Sequence, residues 1–329
     1  MNIFLTGGSG FIGTHLVEAF LKRGDTVTNF DRTAPRDTTQ ESYWTQGDIL
    51  DGDALREAME ASAPDIVLHV AARTDCDENT TVEKDYRVNT EGTTNFLAAV
   101  KASPSVKRAL IVSSQYVAGP SRLPESDTDY FPHTVYGQSK VITEKLTREA
   151  NLACCWTLVR PTNVWGAWHV RYPTEFWRIA AKGLYFHPGG VPVRRCYGYV
   201  GNVVWQILRA LELPEDQVNG KTFYVSDEVT DIFDWASGFC KALCGRPAPK
   251  IPRPLLRLIA LAGDAISLGT GKPFYLTSSR YRSMTSDYPV PMEKTFAELG
   301  RGPYSLEEGI AETVQWLRLH GGPDFQSRT

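Results

Sequence analysis

A glycine-rich turn between an apolar run and an amphipathic run constrains this chain more than any other feature. Thr6-Gly7-Gly8-Ser9-Gly10-Phe11-Ile12-Gly13 follows Ile3-Phe4-Leu5 and opens a helical pattern of Phe11, Ile12, Leu16, Val17, Phe20 and Leu21. Strand, glycine turn and helix in that order begin a βαβ unit of the kind that holds a dinucleotide. Gly7 and Gly10 permit a tight turn and close approach of a pyrophosphate, and Gly13 lets the helix pack on the strand. The unpaired N–H groups of the helix start favour an anion. Asp31 closes the next apolar run, Thr26-Val27-Thr28-Asn29-Phe30, where a carboxylate can take the ribose hydroxyls.

The alternation continues through the first half. Apolar runs at 2–6, 26–30, 65–70, 108–113 and 156–159 are separated by helical patterns at 11–23, 51–61, 82–102 and 134–150. This predicts an α/β fold with a doubly wound parallel Rossmann sheet, and ligands beyond the carboxyl ends of its strands. After Gly166 the texture changes. Trp165, Trp168, Tyr172, Phe176, Trp177, Tyr185 and Phe186 crowd a stretch rich in Pro, Gly and Arg, which reads as the start of a smaller C-terminal α/β substrate lobe. The expected division is a cofactor domain over 1–165, rejoined by about 198–226, and a substrate lobe over 166–197 and 227–329. A helix is expected over 200–211, a strand over 222–225 and a closing amphipathic helix over 305–319.

The net charge of −3 argues against a general nucleic-acid surface. The longest apolar stretch, Leu255 to Leu268, is broken by Arg257, Gly263 and Asp264 and is too short to span a bilayer. The first residues already read as a strand, so no signal peptide is expected. The six cysteines show no paired framework and no metal-ligand spacing, which fits a reducing cytoplasm.

Tyr136 and Lys140 are the catalytic candidates. A free tyrosine ionises near pH ~10, too high for a good base at neutral pH. A lysine four residues on lies on the same helix face. Its charge favours the phenolate, by up to ~4 kcal/mol at ~4 Å and an effective dielectric of about 20. An isolated pair with this spacing is usually two surface residues. Behind a glycine turn in a βα context it reads as a proton exchanger for a substrate hydroxyl, with hydride moving to or from the cofactor.

As a set, these motifs resemble the extended short-chain dehydrogenases/reductases, the NAD-dependent nucleotide-sugar epimerase and dehydratase group. The resemblance covers nearly the whole chain. It rests on the glycine turn, Gly47-Asp48-Ile49, His69-Val70-Ala71-Ala72, Asn89-Thr90-Glu91-Gly92-Thr93, Ser113-Ser114, Tyr136-Gly137-Gln138-Ser139-Lys140 and Arg160-Pro161-Thr162-Asn163-Val164-Trp165-Gly166. It implies a cytoplasmic homodimer acting on a nucleotide sugar. It also implies a cofactor site formed by Gly7, Gly10, Phe11, Ile12, Gly13, Asp31, Arg32, Asp48, Ile49, Ala71, Ala72, Asn89, Ser113, Tyr136, Lys140 and Pro161. NAD is favoured over NADP because the Asp31 carboxylate would repel a 2′-phosphate, although Arg32 beside it could attract one. Asp48 competes with a simpler role, capping the helix that starts near Asp51.

The resemblance makes Ser114 the third catalytic residue, three before Val117-Ala118-Gly119, with Ser113 as its alternative. It assigns Asn163, Arg195 and either Arg280 or Arg282 to the substrate diphosphate, and Ser114 to the substrate's reacting hydroxyl. Gln115 and Tyr116 stand where the family's dehydratases carry Asp-Glu, so dehydration is set aside. The leading reaction is 4-epimerisation by transient oxidation at C4. A 4-ketoreductase and a hydroxysteroid-type dehydrogenase use the same residues, and a non-catalytic dinucleotide sensor would have no use for a tuned phenolate.

Overall fold

The computed structural model describes residues 1–271 and 274–325. The chain divides into two compact units, Met1–Val164 with Val200–Ser226 and Pro291–Pro303, and Trp165–Tyr199 with Asp227–Val290 and the stretch from Tyr304 onward.

The first unit is built on a seven-stranded sheet. Its strands are β1 (Asn2–Thr6), β2 (Thr26–Asp31), β3 (Trp44–Gln46), β4 (Ile66–His69), β5 (Arg108–Val112), β6 (Cys155–Pro161) and β10 (Thr222–Val225). They lie in the order β10-β6-β5-β4-β1-β2-β3 with every pairing parallel. The order reverses between β1 and β4, the switch point at which doubly wound sheets bind ligands. The helices are α1 (Phe11–Lys22), α2 (Gly52–Ser62), α3 (Val82–Asp85), α4 (Arg87–Ala102), α5 (Val135–Glu149), α7 (Val200–Glu212), α8 (Glu215–Val218) and α12 (Glu293–Glu298). Phe4, Phe30, Leu55, Val67, Phe96 and Ile111 form the heart of one core layer. Each such side chain contributes about 1.5–3 kcal/mol on burial.

Three differences from the sequence expectation have physical causes. The pattern over 82–102 is two helices, broken at Tyr86, whose ring is fully buried and whose hydroxyl donates to the Asp75 carbonyl. β3 was not expected; it is three residues long, too short to show alternation, and the indole of its first residue, Trp44, donates to the Asp31 carbonyl at 2.8 Å. Pro291–Pro303, expected in the substrate lobe, groups with the sheet unit: the Thr295 hydroxyl donates to the Tyr224 carbonyl, and the Lys294 ammonium lies 3.0 Å from Asp127. Residues 272–273 and 326–329 of the expected lobe lie outside the described residues.

In the second unit, β9 (Arg194–Tyr199) pairs antiparallel with β11 (Val229–Asp231), and β8 (His187–Pro188) pairs parallel with β12 (Lys250–Ile251). Helices α6 (Arg178–Ala181), α9 (Ile232–Cys244), α10 (Arg253–Thr270), α11 (Ser278–Thr285) and α13 (Leu306–His320) complete it. A capping box at Ser305 and Glu308 starts α13. β7 (Asn163–Trp165) follows β6 at the border of the units.

Candidate active site

The glycine turn forms a cradle. Gly7 has φ +78°, and a Cβ there would lie 2.4 Å from the Ala71 nitrogen. A Cβ on Gly13 would lie 2.1 Å from the Gly7 carbonyl oxygen. Neither position admits a side chain, so the turn closes tightly between the ends of β1 and β4. Gly10 is the N-cap of α1, and no side chain caps it. The first turn, with half-buried Phe11 and Ile12, therefore keeps backbone donors for an anion. The Asp31 carboxylate, at the end of β2, accepts from the Ser9 N–H at 3.1 Å and the Thr33 N–H at 3.0 Å. Arg32 is exposed. Ala71 and Ala72 follow β4 half-buried, and Pro161 is buried at the end of β6. An uncapped helix start, a glycine floor and a carboxylate at the next strand end fit a dinucleotide.

Asp48 is not the helix cap. Asp51 fills that position, accepting from the Ala54 N–H at 3.0 Å, while Asp48 accepts from the Leu50 N–H at 3.0 Å. The Ile49 side chain is buried against Gly92. Two expected cofactor residues prove to be internally bonded. Asn89, 1% exposed, donates to the Arg73 carbonyl at 3.0 Å and to the Ser139 hydroxyl at 2.8 Å, so it ties the loop after β4 to α4 and α5. The Ser113 hydroxyl donates to Glu144 at 2.6 Å.

Glu144 is the group that sequence reasoning missed. It is fully buried on α5 and accepts from Arg160 at 2.7 and 2.8 Å as well as from Ser113. Removing one partner of such a pair strands a buried charge, so the network fixes β5, β6 and α5 together. The signal in the sequence was slight: a carboxylate four residues after Lys140 on the same face.

At the ends of β5 and α5 the reactive group assembles. Thr134 caps α5 by accepting from the Gly137 N–H at 2.9 Å, which starts the helix one residue before Tyr136. The Ser114 hydroxyl neighbours the Tyr136 phenol and accepts from the Tyr116 N–H at 3.2 Å. The Lys140 ammonium, 2% exposed, donates to the Val112 carbonyl at 2.9 Å. The expectation of a depressed Tyr136 pKa is corrected here. Burial pushes the phenol well above its ordinary value, the Ser114 hydroxyl draws it down, and nearby Cys76, Tyr116 and Tyr86 push it up. Burial also lowers Lys140 to about 8, with Glu144 working against that shift. Desolvation is the largest influence on the phenol, and a positive charge brought beside it favours the phenolate. The Tyr116 ring, 5.8 Å from that of Tyr136 and stacked on His133 at 5.3 Å, is a second neighbour that sequence spacing did not reveal.

Asn163 opens β7 just past β6. Its side-chain Nδ2 is buried with no hydrogen-bond partner among the described residues, a donor left for a ligand. Arg195, Arg280 and Arg282 belong to the second unit. Arg195 is 9% exposed, and its Nε donates to the Ser286 carbonyl at 2.9 Å. Arg280 lies 4.7 Å above the Tyr275 ring and 3.6 Å from Glu175, whereas Arg282 is exposed. Arg280 and Glu175 line a cavity of about 130 Å³ walled by Tyr172, Phe176, Tyr185 and Trp235 among others. The aromatic crowd after Gly166 thus divides: Trp165 and Trp177 are core, while Tyr172, Phe176 and Tyr185 face the cavity. Among the described residues no cluster of side chains could hold a metal ion, and no helix is long and apolar enough to cross a membrane.

A family model described as the NAD dependent epimerase/dehydratase family matches residues 3–226. Two curated relatives match nearly end to end. A 3-beta-hydroxysteroid dehydrogenase of Mycolicibacterium neoaurum is 28% identical, covering 95% of this chain and 90% of the relative. An N-acetyl-alpha-D-glucosaminyl-diphospho-ditrans,octacis-undecaprenol 4-epimerase of Escherichia coli O157:H7 is 26% identical, covering 98% and 97%. Among solved structures, a UDP-glucose 4-epimerase of Thermotoga maritima with UDP-glucose superposes with a TM-score of 0.74 at 22% identity, covering 97% of this chain and 99% of that one. A UDP-glucuronic acid 4-epimerase of Bacillus cereus, in complex with UDP-glucuronic acid and NAD, gives 0.73 at 20% identity with the same coverage. At these identities the structures share the fold.

Proposed function

The chain belongs to the NAD dependent epimerase/dehydratase family, and we propose that it is an NAD-dependent 4-epimerase of a nucleotide sugar, working by transient oxidation at the sugar C4. The observation that carries this reading is the buried Tyr136 phenol beside the Ser114 hydroxyl, one helical turn before a lysine that is itself buried. Ser114 orients the reacting hydroxyl. Tyr136 removes and returns its proton, and Lys140 holds positive charge beside the pair. The Gly7 turn, the start of α1 and Asp31 hold the dinucleotide, with NADP disfavoured by the Asp31 carboxylate. Bound NAD supplies the hydride acceptor and donor at C4, and its cationic ring adds to the Lys140 field. Gln115 and Tyr116 offer no carboxylate for the elimination of water. Asn163 and Arg195 are suited to the diphosphate, Arg280 or Arg282 to a second contact.

The relatives support this reading: the T. maritima and B. cereus neighbours act on UDP-sugars, and the E. coli relative is a 4-epimerase of a diphospho-linked sugar. A second reading, a hydroxysteroid-type dehydrogenase, is favoured by the aromatic cavity of the second unit and by the M. neoaurum relative. We also hold the enzyme to be a cytoplasmic homodimer; the six cysteines, none of them in a disulfide, fit that compartment.

The test is to denature the purified protein, identify the dinucleotide released, and follow UDP-glucose and UDP-glucuronic acid by NMR. A C4 epimer formed without added cofactor is expected. Reduction of added NAD by a 3β-hydroxysteroid, with no epimer from any nucleotide sugar, would replace the first reading with the second.

A further inference from the structure

The outward side of α10 is apolar along its length. Leu255, Leu258, Leu261, Ile266 and Leu268 are exposed, Leu258 at 64% and Leu268 at 90%. At helical spacing these fall on one arc, opposite the buried Leu256, Ala260 and Gly263. The charged Arg257 stands at the edge of that arc. Exposed Val191 lies at the start of the helix, its carbonyl accepting from the Arg253 guanidinium at 2.7 Å, whereas the Phe274 ring packs over Gly263 on the inner face. Contiguous exposed apolar surface of this kind marks a contact with something apolar.

Charge decides between the candidates. Residues 246–271 carry Arg246, Lys250, Arg253 and Arg257 against one carboxylate, Asp264, in a chain of net charge −3. Asp264 accepts from the Ser278 N–H at 3.1 Å, and Arg246 and Arg253 likewise donate to carbonyls of this unit, so the segment's excess is one of charge. A two-fold contact with a second copy would bring these cations together with no free carboxylate of the segment to meet them. An anionic bilayer meets the cations with phosphates and the leucines with acyl chains. The inner face of α10 adds a reason. Leu256 and Ala260 pack with Tyr275 and Met284, which also wall the aromatic cavity, so one layer of side chains joins the apolar arc to an apolar interior.

We propose that α10 is an interfacial helix that seats this unit on an anionic phospholipid surface, with its leucine arc in the headgroup–acyl boundary and Arg257 at headgroup level. The inference goes beyond the proposed reaction, and its test uses no turnover. The full-length protein is sedimented with vesicles of phosphatidylcholine alone, or of phosphatidylcholine and phosphatidylglycerol in equal parts. Binding to the mixed vesicles is expected, weakening as salt is raised. Leu258→Glu/Leu261→Glu should lower it at least about tenfold while circular dichroism and NAD binding stay unchanged. Arg257→Ser, a milder change, should lower binding to the mixed vesicles and leave the weak binding to phosphatidylcholine alone as it was. Wild-type protein that stays in the supernatant with the mixed vesicles overturns the proposal. So does a dimer in analytical ultracentrifugation that Leu258→Glu/Leu261→Glu converts to monomer, since the arc would then belong to a second copy.

Discussion

The reaction edge of the first unit and the aromatic cavity of the second are built on opposite plans. At the reaction edge, backbone does most of the positioning. Gly7 and Gly13 exclude side chains, Lys140 is held by the Val112 carbonyl, and the Ser114 hydroxyl is fixed by the Tyr116 N–H. The parts come from strand ends and one helix turn, so they are close in sequence or tied to the sheet register. In the cavity, side chains more than a hundred residues apart, Tyr172 to Met284, meet through packing alone. Such a surface can change shape and specificity without disturbing the chemistry. The difference predicts that substitutions of Ser114, Tyr136 or Lys140 abolish turnover and leave substrate binding, whereas those at the substrate contacts of the second unit do the reverse.

The largest expected effect is that of Tyr136→Phe, which removes the proton path and keeps the ring. Turnover should fall by about 10²–10⁴ while NAD titrations barely change. Activity within tenfold of wild type would remove Tyr136 from the mechanism. Arg195→Ala, in the other unit, should weaken nucleotide diphosphate affinity by about ten- to a hundredfold, the equivalent of a charge-assisted bond, and leave NAD affinity alone. A steroid dehydrogenase would show no such loss. Asp31→Ala should loosen NAD by up to about tenfold and narrow its advantage over NADP, measured by fluorescence titration of both.

The smallest effect concerns Lys140. Its pKa is lowered by burial to about 8 from 10.5, so the unfolded chain binds more protons across that window. Wild-type stability should therefore rise with pH from about 8 upward relative to Lys140→Met, by a few degrees of melting temperature. A difference that stays flat between pH 7 and 9.5 would mean that Lys140 keeps its charge throughout.

The two plans also explain what could be read from the sequence. The strand–turn–helix opening and the Tyr136–Lys140 spacing were legible because each is written in a short segment with a fixed period, the parallel sheet because strand and helix patterns alternate, and Ser114 only through the family resemblance. Asn89 and Ser113 lay in recognisable motifs, but their partners, Ser139 and Glu144, sit far along the chain, so their internal bonding was hidden. The rise of the Tyr136 pKa was hidden for the same reason: spacing gives the distance to Lys140 and says nothing of the burial that opposes it. In the second unit the aromatic residues were visible as a group, yet only packing separates core Trp165 and Trp177 from cavity-lining Tyr172, Phe176 and Tyr185.

The central claim is that the reaction edge oxidises a sugar carbon and reduces that same carbon again. It is tested most directly with UDP-glucose carrying deuterium at C4, or with whichever nucleotide sugar the enzyme turns over. The account predicts an inverted C4 in the product with its deuterium retained and no reduced dinucleotide in solution. Deuterium appearing in free dinucleotide, one equivalent for each substrate oxidised and with no epimer formed, would contradict it.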